Sequence, residues 1–206
     1  MHLVLLVGPA RLPDLASAEH YADVVTGTCS VAADYPFAAW AEPEDAPAHV
    51  GRVDGPVVAA LRLAAARWAT SGEVPGDGPA DESALFHDPV LGAVWERGPE
   101  HTAARGRLGA PPGITGTGRL DAFDHFLHHS GEPVVCSPVD FAPVVRDNRA
   151  PGGVVPSASR LIAEARHLAG VLALPPDDPR AAGIRALVAA AGAALAAGAG
   201  LVLDYA

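Results

Sequence analysis

The sequence predicts one helix-dominated domain of the α/β or α+β class, built around a small sheet. Three apolar runs, near residues 2–7, 132–137 and 201–205, have the short length and the Val and Leu content of buried strands. Segments with helical spacing lie between them, so the chain begins with strand and helix and ends with helix, helix and strand. This order is typical of sheets covered by helices, and 206 residues are enough for a single globular domain over 1–206.

The first half is expected to contain two long helices, a short helix over 90–96 and a loop. Residues 13–25 look helical, because the proline at the start has no N–H to lose in a first turn. Asp54 has the character of an N-cap and predicts a helix over 56–70. The stretch 71–82 is rich in Gly, Pro and acidic residues, which predicts a mobile loop. A strand could pass through Cys29.

The second half is expected to hold three helices. Residues 119–129 have helical spacing, 141–156 is expected to form a loop, and a serine cap predicts a helix over 157–172. Alanine dominates the helix expected over 180–197. The 18 residues 186–203 carry no charge and reach the length of a membrane span, but Ala and Gly give them little affinity for lipid. We therefore expect a buried helix followed by a strand, and no membrane segment.

Arginine supplies all 14 positive charges, because lysine is absent. Without lysine the chain cannot form a Schiff base, anchor pyridoxal phosphate or build a Walker P-loop. The 43 alanines, together with 22 glycines and 20 prolines, indicate a GC-rich gene and predict an actinobacterial source.

The net charge of −10 disfavours nucleic acid and anionic membranes as partners, since both require clustered cations. We expect a soluble, acidic, cytoplasmic protein with neither kind of partner. Its two cysteines, Cys29 and Cys136, lack the spacing of a zinc site and are expected to be reduced thiols, with a disulfide or a reactive thiol as alternatives.

The main candidate for chemistry is the segment 121–129, which holds three of the nine histidines. On a helix, Asp121, His125 and His128 share one face, because offsets of four and seven residues return to the same side. Two imidazoles and a carboxylate suit acid/base catalysis, with Asp121 orienting one imidazole. The same groups could begin a metal site, which would need a further ligand that the sequence does not identify, or they could form a solvated polar face.

Three arginines are candidates for binding a substrate anion. Arg107 and Arg119 flank the glycine-rich stretch 113–118, which precedes the expected helix. Free backbone N–H groups at such a turn bind anions, and guanidinium groups add bidentate donors. Arg146 lies in the loop expected after the strand near 132–137. The alternatives are an ordinary loop and surface ion pairs.

Two classes of function follow. The first is an enzyme of small-molecule or specialised biosynthesis that uses His125, His128 and Asp121 on a small anionic substrate without a cofactor. The second is a non-catalytic subunit or interaction module that packs against a protein partner or another copy of itself.

Overall fold

The computed structural model describes residues 2–9, 12, 14–73, 88–97, 102–104, 122–128, 132–142 and 144–206. Its helices are α1 (Leu15–Ala32), α2 (Gly55–Ser71), α3 (Pro89–Arg97), α4 (Asp124–Leu127), α5 (Ala158–Leu172) and α6 (Pro179–Ala197). Its strands are β1 (His2–Val7), β2 (His49–Asp54), β3 (Thr102–Ala104), β4 (Val134–Cys136), β5 (Val144–Arg146), β6 (Val154–Val155) and β7 (Leu201–Tyr205). Helices dominate, and the chain is an α+β domain, as the sequence predicts.

The main sheet has four strands in the order β2-β1-β7-β4, and each neighbouring pair is antiparallel. The three strands predicted from apolar runs are β1, β4 and β7, and all three belong to this sheet. In the centre, Leu5 of β1 aligns with Gly51 on one side and with Leu203 on the other. A second sheet has the order β3-β5-β6.

Successive side chains of the central strands enter different cores, because they alternate across the sheet. Leu3 and Leu5 point into the larger core, which contains the buried residues of α2, α5 and α6. Leu6 and Val202 point to the opposite face, where they pack with Val25 of α1. Helix α1 therefore covers one face of the sheet, and α2, α5 and α6 cover the other.

Helix α1 extends through the region in which a strand was expected. Its N-terminus is capped by Asp14, whose carboxylate accepts a hydrogen bond of 3.0 Å from the backbone N–H of Ser17. The expected strand at Cys29 is wrong, since this residue lies within the helix. Threonine disfavours helices locally, but the hydroxyl of Thr28 is buried and donates to the carbonyl of Val24 at 2.8 Å. Packing on the sheet therefore overrides local preference.

The segment 141–156 also departs from its prediction as a loop. Val145 of β5 aligns with Val155 of β6 in an antiparallel pair, and both side chains are fully buried. The two Val-Val pairs thus form strands around the short 3-10 turn Pro151–Gly153.

Three other expectations have mixed outcomes. Helix α2 follows Asp54 as predicted, but this carboxylate forms no cap hydrogen bond and instead lies 3.0 Å from Nδ1 of His2. Of the helix predicted over 119–129, the structure describes residues 122–128, and the helical part of these is α4, Asp124–Leu127. Of the predicted mobile loop, residues 74–82 lie outside the described part of the chain.

Among the described residues, α6 is the one helix long and apolar enough to cross a membrane. In the domain it packs against α5, β2 and α2. Ala190, Ala191 and Ala194 are fully buried there. Its small side chains permit close approach, as at Gly183, where an added Cβ would lie 2.7 Å from Cγ1 of Val57. The segment is a packed helix followed by a strand, as predicted.

Two glycines of α6 provide a matched test of this packing. Gly183→Ala places a methyl group against Val57 and Val53, and we expect it to lower the free energy of unfolding by about 1–2 kcal/mol. Gly192→Ala meets nothing within 4 Å, and we expect it to raise that free energy by about 0.5–1 kcal/mol through helix propensity. Urea denaturation measures both, and equal stabilisation by the two variants would contradict the packing described.

Candidate functional site

His125, the first predicted catalytic residue, is buried and bonded through both ring nitrogens. The backbone N–H of Ser157 donates to Nδ1 at 2.8 Å, and Nε2 lies 2.8 Å from the carbonyl oxygen of Ala142. An N–H can only donate and a carbonyl can only accept, so the ring must be neutral with its proton on Nε2. Burial lowers the pKa of His125 from 6.5 to about 4. Neither nitrogen is open to a substrate.

His128, the second predicted catalytic residue, is also buried but turns to a different partner. Its Nε2 lies 3.4 Å from Oδ1 of Asp124, whose side chain is as deeply buried. The two histidines expected to act together therefore face separate groups. Asp121, the expected orienting carboxylate, lies outside the described residues.

The backbone of α4 is held by a side chain from another helix. Both carboxylate oxygens of Glu164 on α5 accept hydrogen bonds from α4, one from the N–H of His125 at 3.2 Å and one from the N–H of Phe126 at 2.8 Å. Burial raises the pKa of Glu164 well above its ordinary value. This four-residue helix has no side-chain cap of its own, and the carboxylate of Glu164 takes that place and joins α4 to α5. We call the buried polar side chains of α4 together with Glu164 the polar cluster around α4.

The predicted arginine site is only partly visible. Arg107 and Arg119 lie outside the described residues, and Arg146 is exposed at the end of β5. No group of three or more His, Cys, Asp or Glu side chains that could hold a metal occurs in the described part of the chain.

A second arginine, in the loop that follows β5, ties two elements together. The guanidinium of Arg149 bonds to Asp147 at 2.7 Å and to Asp34, just beyond α1, at 2.6 Å. The hydroxyl of Tyr35 also donates to Asp147, at 3.2 Å. Hydrogen bonds from Arg149 lower the pKa of Asp147 from 3.8 to about 2. This network fastens the end of α1 to the loop that follows β5.

The charges of the chain are unevenly distributed along the sequence. Residues 12–51 contain seven carboxylates and no arginine, whereas residues 144–206 contain five carboxylates and six arginines. The first range forms α1 and the chain that leads to β2, and the second includes α5 and α6 on the opposite face of the sheet. Residues 52–143 hold twelve carboxylates and seven arginines, so 12–51 is the longest stretch of the sequence in which carboxylates have no arginine among them.

We call the exposed carboxylates of this arginine-free stretch the acidic α1 face: they are Asp14, Glu19, Asp23, Asp34, Glu44 and Asp45. Glu19, Asp23, Glu44 and Asp45 form no ion pair with any residue that the structure describes. Sequence reasoning missed this face because it used the net charge as a single number; counting arginines by segment would have revealed it.

The helix that carries this face is fastened at two places. The hydroxyl of Tyr21 donates to Asp204 of β7 at 2.6 Å. Burial and, to a smaller extent, this hydrogen bond raise the pKa of Tyr21 to about 12. Near the other end, Arg149 binds Asp34. The carboxylates of α1 are therefore presented on a fixed helix.

Comparison with known families gives this acidic face a context. Residues 1–202 match the family model described as "Putative DNA-mimic protein". The chain belongs to this DNA-mimic family. The comparisons with curated proteins and with solved structures each found no match.

Membership of the DNA-mimic family overturns the enzyme hypothesis. The predictions of a biosynthetic function and of a small anionic substrate were wrong, because the family description concerns imitation of DNA. The expectation that this protein has no connection with nucleic acid was wrong as well, because the family description refers to DNA. Acidic charge argues against binding DNA, but a mimic must carry the same sign of charge as DNA.

The network at Asp147 can be tested against an exposed carboxylate of α1. We expect Asp147→Asn to lower the free energy of unfolding at pH 7 by about 1–2 kcal/mol, since bonds from Arg149 to a charged acceptor are lost. Asp23→Asn, at an exposed position, is expected to change it by less than about 0.5 kcal/mol.

The loss of stability caused by Asp147→Asn is also expected to depend on pH. Because the pKa of Asp147 is lowered on folding, its contribution is complete above pH 3.8 and is lost as the pH falls towards 2. The difference between wild type and Asp147→Asn, measured by urea denaturation, should therefore shrink over that interval. A difference that is constant from pH 7 to pH 2 would contradict this assignment.

Proposed function

We propose that this protein binds the DNA-binding surface of a protein partner in place of DNA, through the acidic α1 face. The observation that carries the proposal is the concentration of exposed carboxylates in the arginine-free stretch that forms α1 and leads to β2, on a chain of the DNA-mimic family. The proposal falls in the second class of function left open by the sequence, an interaction module with a protein partner. Such a partner acts where the chromosome is, so we also propose a cytoplasmic location.

The length of the acidic α1 face is comparable with a DNA-binding footprint. From Asp14 to Asp34 the chain rises by about 30 Å along the helix axis. One strand of B-DNA places a phosphate about every 3.4 Å, so the same length holds about nine phosphates. Glu19 and Asp23 lie one turn apart within this length. The face offers fewer charges than DNA, and it can match only some of the phosphate positions of a binding groove.

Carboxylates are suitable substitutes at those positions. Arginine binds carboxylates and phosphates with the same bidentate geometry, so a partner's phosphate-contacting guanidinium groups can accept either. The attachment of α1 to β7 through Tyr21, and of its end to the loop after β5 through Arg149, reduces the ordering that binding would otherwise require.

The lower charge density has a consequence for salt dependence. DNA carries condensed counterions whose release makes its binding steeply dependent on salt. A protein face with isolated carboxylates has no such atmosphere. We therefore expect the mimic to compete with DNA better at about 200 mM salt than at about 50 mM salt.

A competition assay tests the proposal. Fluorescence anisotropy follows a labelled 20-bp duplex bound to purified bacterial DNA-binding proteins, both sequence-independent nucleoid proteins and repressors. We expect the wild-type protein to displace the duplex from at least one of them. The triple variant Glu19→Gln/Asp23→Asn/Glu44→Gln should need at least about ten times more protein, since each lost charge contact is worth about 0.5 kcal/mol or more.

A second triple variant is the matched control. Glu73→Gln/Glu96→Gln/Asp177→Asn removes the same number and types of charge from exposed positions near α2, α3 and α6. We expect it to compete within about twofold of the wild type, since these positions lie away from α1. Equal losses in the two triples would mean that only net charge matters, and failure to displace the duplex from any protein of the panel would overturn the proposal.

A further inference from the structure

The polar cluster around α4 is outside the acidic α1 face and has no part in the proposed function. We use "the α4 segment" for residues 122–128. Besides Glu164, the ring of Phe123 packs on His167 of α5 and Trp68 of α2, and hydrogen bonds through Trp95 and His125 also hold this segment. The indole N–H of Trp95 on α3 donates to the carbonyl of Leu127 at 3.0 Å. The ring of His125 connects the segment to Ser157 and Ala142.

The His125 contact depends on the charge of the imidazole. Nδ1 accepts from the N–H of Ser157, the residue that caps the N-terminus of α5. When a solvent proton binds Nδ1, two N–H donors face each other and this hydrogen bond is lost. The bond from Nε2 to Ala142 remains, but the ring now carries a positive charge at a site that is 2% exposed.

The groups around the ring do not stabilise that charge sufficiently. On its own segment, Asp124 and His128 lie nearby. Helix α5 supplies Glu164, bound to the backbone of α4, and Arg160, which opposes a second cation. The loop before β5 supplies Asp140, which is exposed and paired with Arg160 at 2.7 Å. Burial therefore remains the largest effect on the pKa of His125, and it favours the uncharged imidazole.

We propose that the α4 segment is an acid-operated latch: binding of one proton to Nδ1 of His125 detaches the segment from the N-terminus of α5, while the main sheet and α1 stay folded. The main sheet is joined by its own continuous hydrogen bonds, and α1 packs on its opposite face. Detachment exposes the apolar side chains of the segment, Phe123, Phe126 and Leu127, which are buried in the closed state.

The expected size of the effect follows from proton linkage. With an open-state pKa of 6.5 and a closed-state pKa of about 4, acid favours the open state. The contribution of the latch is complete above pH 6.5 and is lost as the pH falls towards 4. For the His125 proton alone we expect the opening constant to rise about 20-fold from pH 7 to pH 5, and about 100-fold by pH 4, while the raised pKa of Glu164 acts in the opposite direction.

Hydrogen exchange of the full chain tests the latch. The amides of Ser157, His125 and Phe126 report detachment, and those of α1 and β7 report global unfolding, all corrected for the intrinsic pH dependence of exchange. We expect the first group alone to lose protection between pH 6.5 and pH 4. Simultaneous loss of protection in both groups would overturn the proposal, since it would mean global unfolding.

A variant with the same hydrogen-bond pattern isolates the proton. His125→Gln can accept from Ser157 and donate to Ala142 without titrating, so its local opening should show no increase as the pH falls from 6.5 to 4. His20→Gln, at an exposed position of α1, should keep the wild-type response. Persistence of the full pH response in His125→Gln would overturn the proposal.

A measurement on the wild type covers the case in which His125→Gln fails to fold. Nitrogen chemical shifts of the His125 ring should show a proton on Nε2 alone at pH 7, and titration near pH 4. Titration near pH 6.5, as for a free imidazole, would overturn the proposal.

Discussion

The alternation of side chains along β1 and β7 places apolar groups on both faces of the main sheet, and both faces must be excluded from water. One face is covered by several helices, while α1 covers the other. Since a helix buries one side when it packs on a sheet, the outer side of α1 remains in solvent. The acidic α1 face therefore exists because this sheet is covered on both sides and because arginine is absent from residues 12–51.

Much of the fold could be predicted from the residues, because strands and helices leave distinct periodic patterns. The runs at 2–7 and 201–205 became strands with the expected bounds. The errors arose where long-range pairing decides the structure. Val144–Arg146 and Val154–Val155 are too short to be recognised as strands, and they form because they pair with each other. The helical state of Cys29 likewise depends on packing against the sheet.

The candidate site was much less predictable. The spacing of His125 and His128 indicated a polar site on one helix face, but spacing does not reveal whether a side chain is buried. The backbone of Ser157 and the carbonyl of Ala142 take up both nitrogens of His125, and neither partner can be identified from side-chain chemistry in the sequence. The acidic α1 face was visible in the sequence as a local absence of arginine, which the net charge of −10 conceals.

The carboxylates of α1 and the arginines of α5 and α6, on opposite faces of the sheet, also give the molecule a permanent electric dipole. In the field of a cationic surface such a molecule experiences a torque before any contact is made. At about 0.1 M salt this field extends roughly 10 Å from the surface, which is about the thickness of one helix. The domain would thus arrive with α1 already turned forward, and the arginines of α5 and α6 would face the bulk solution.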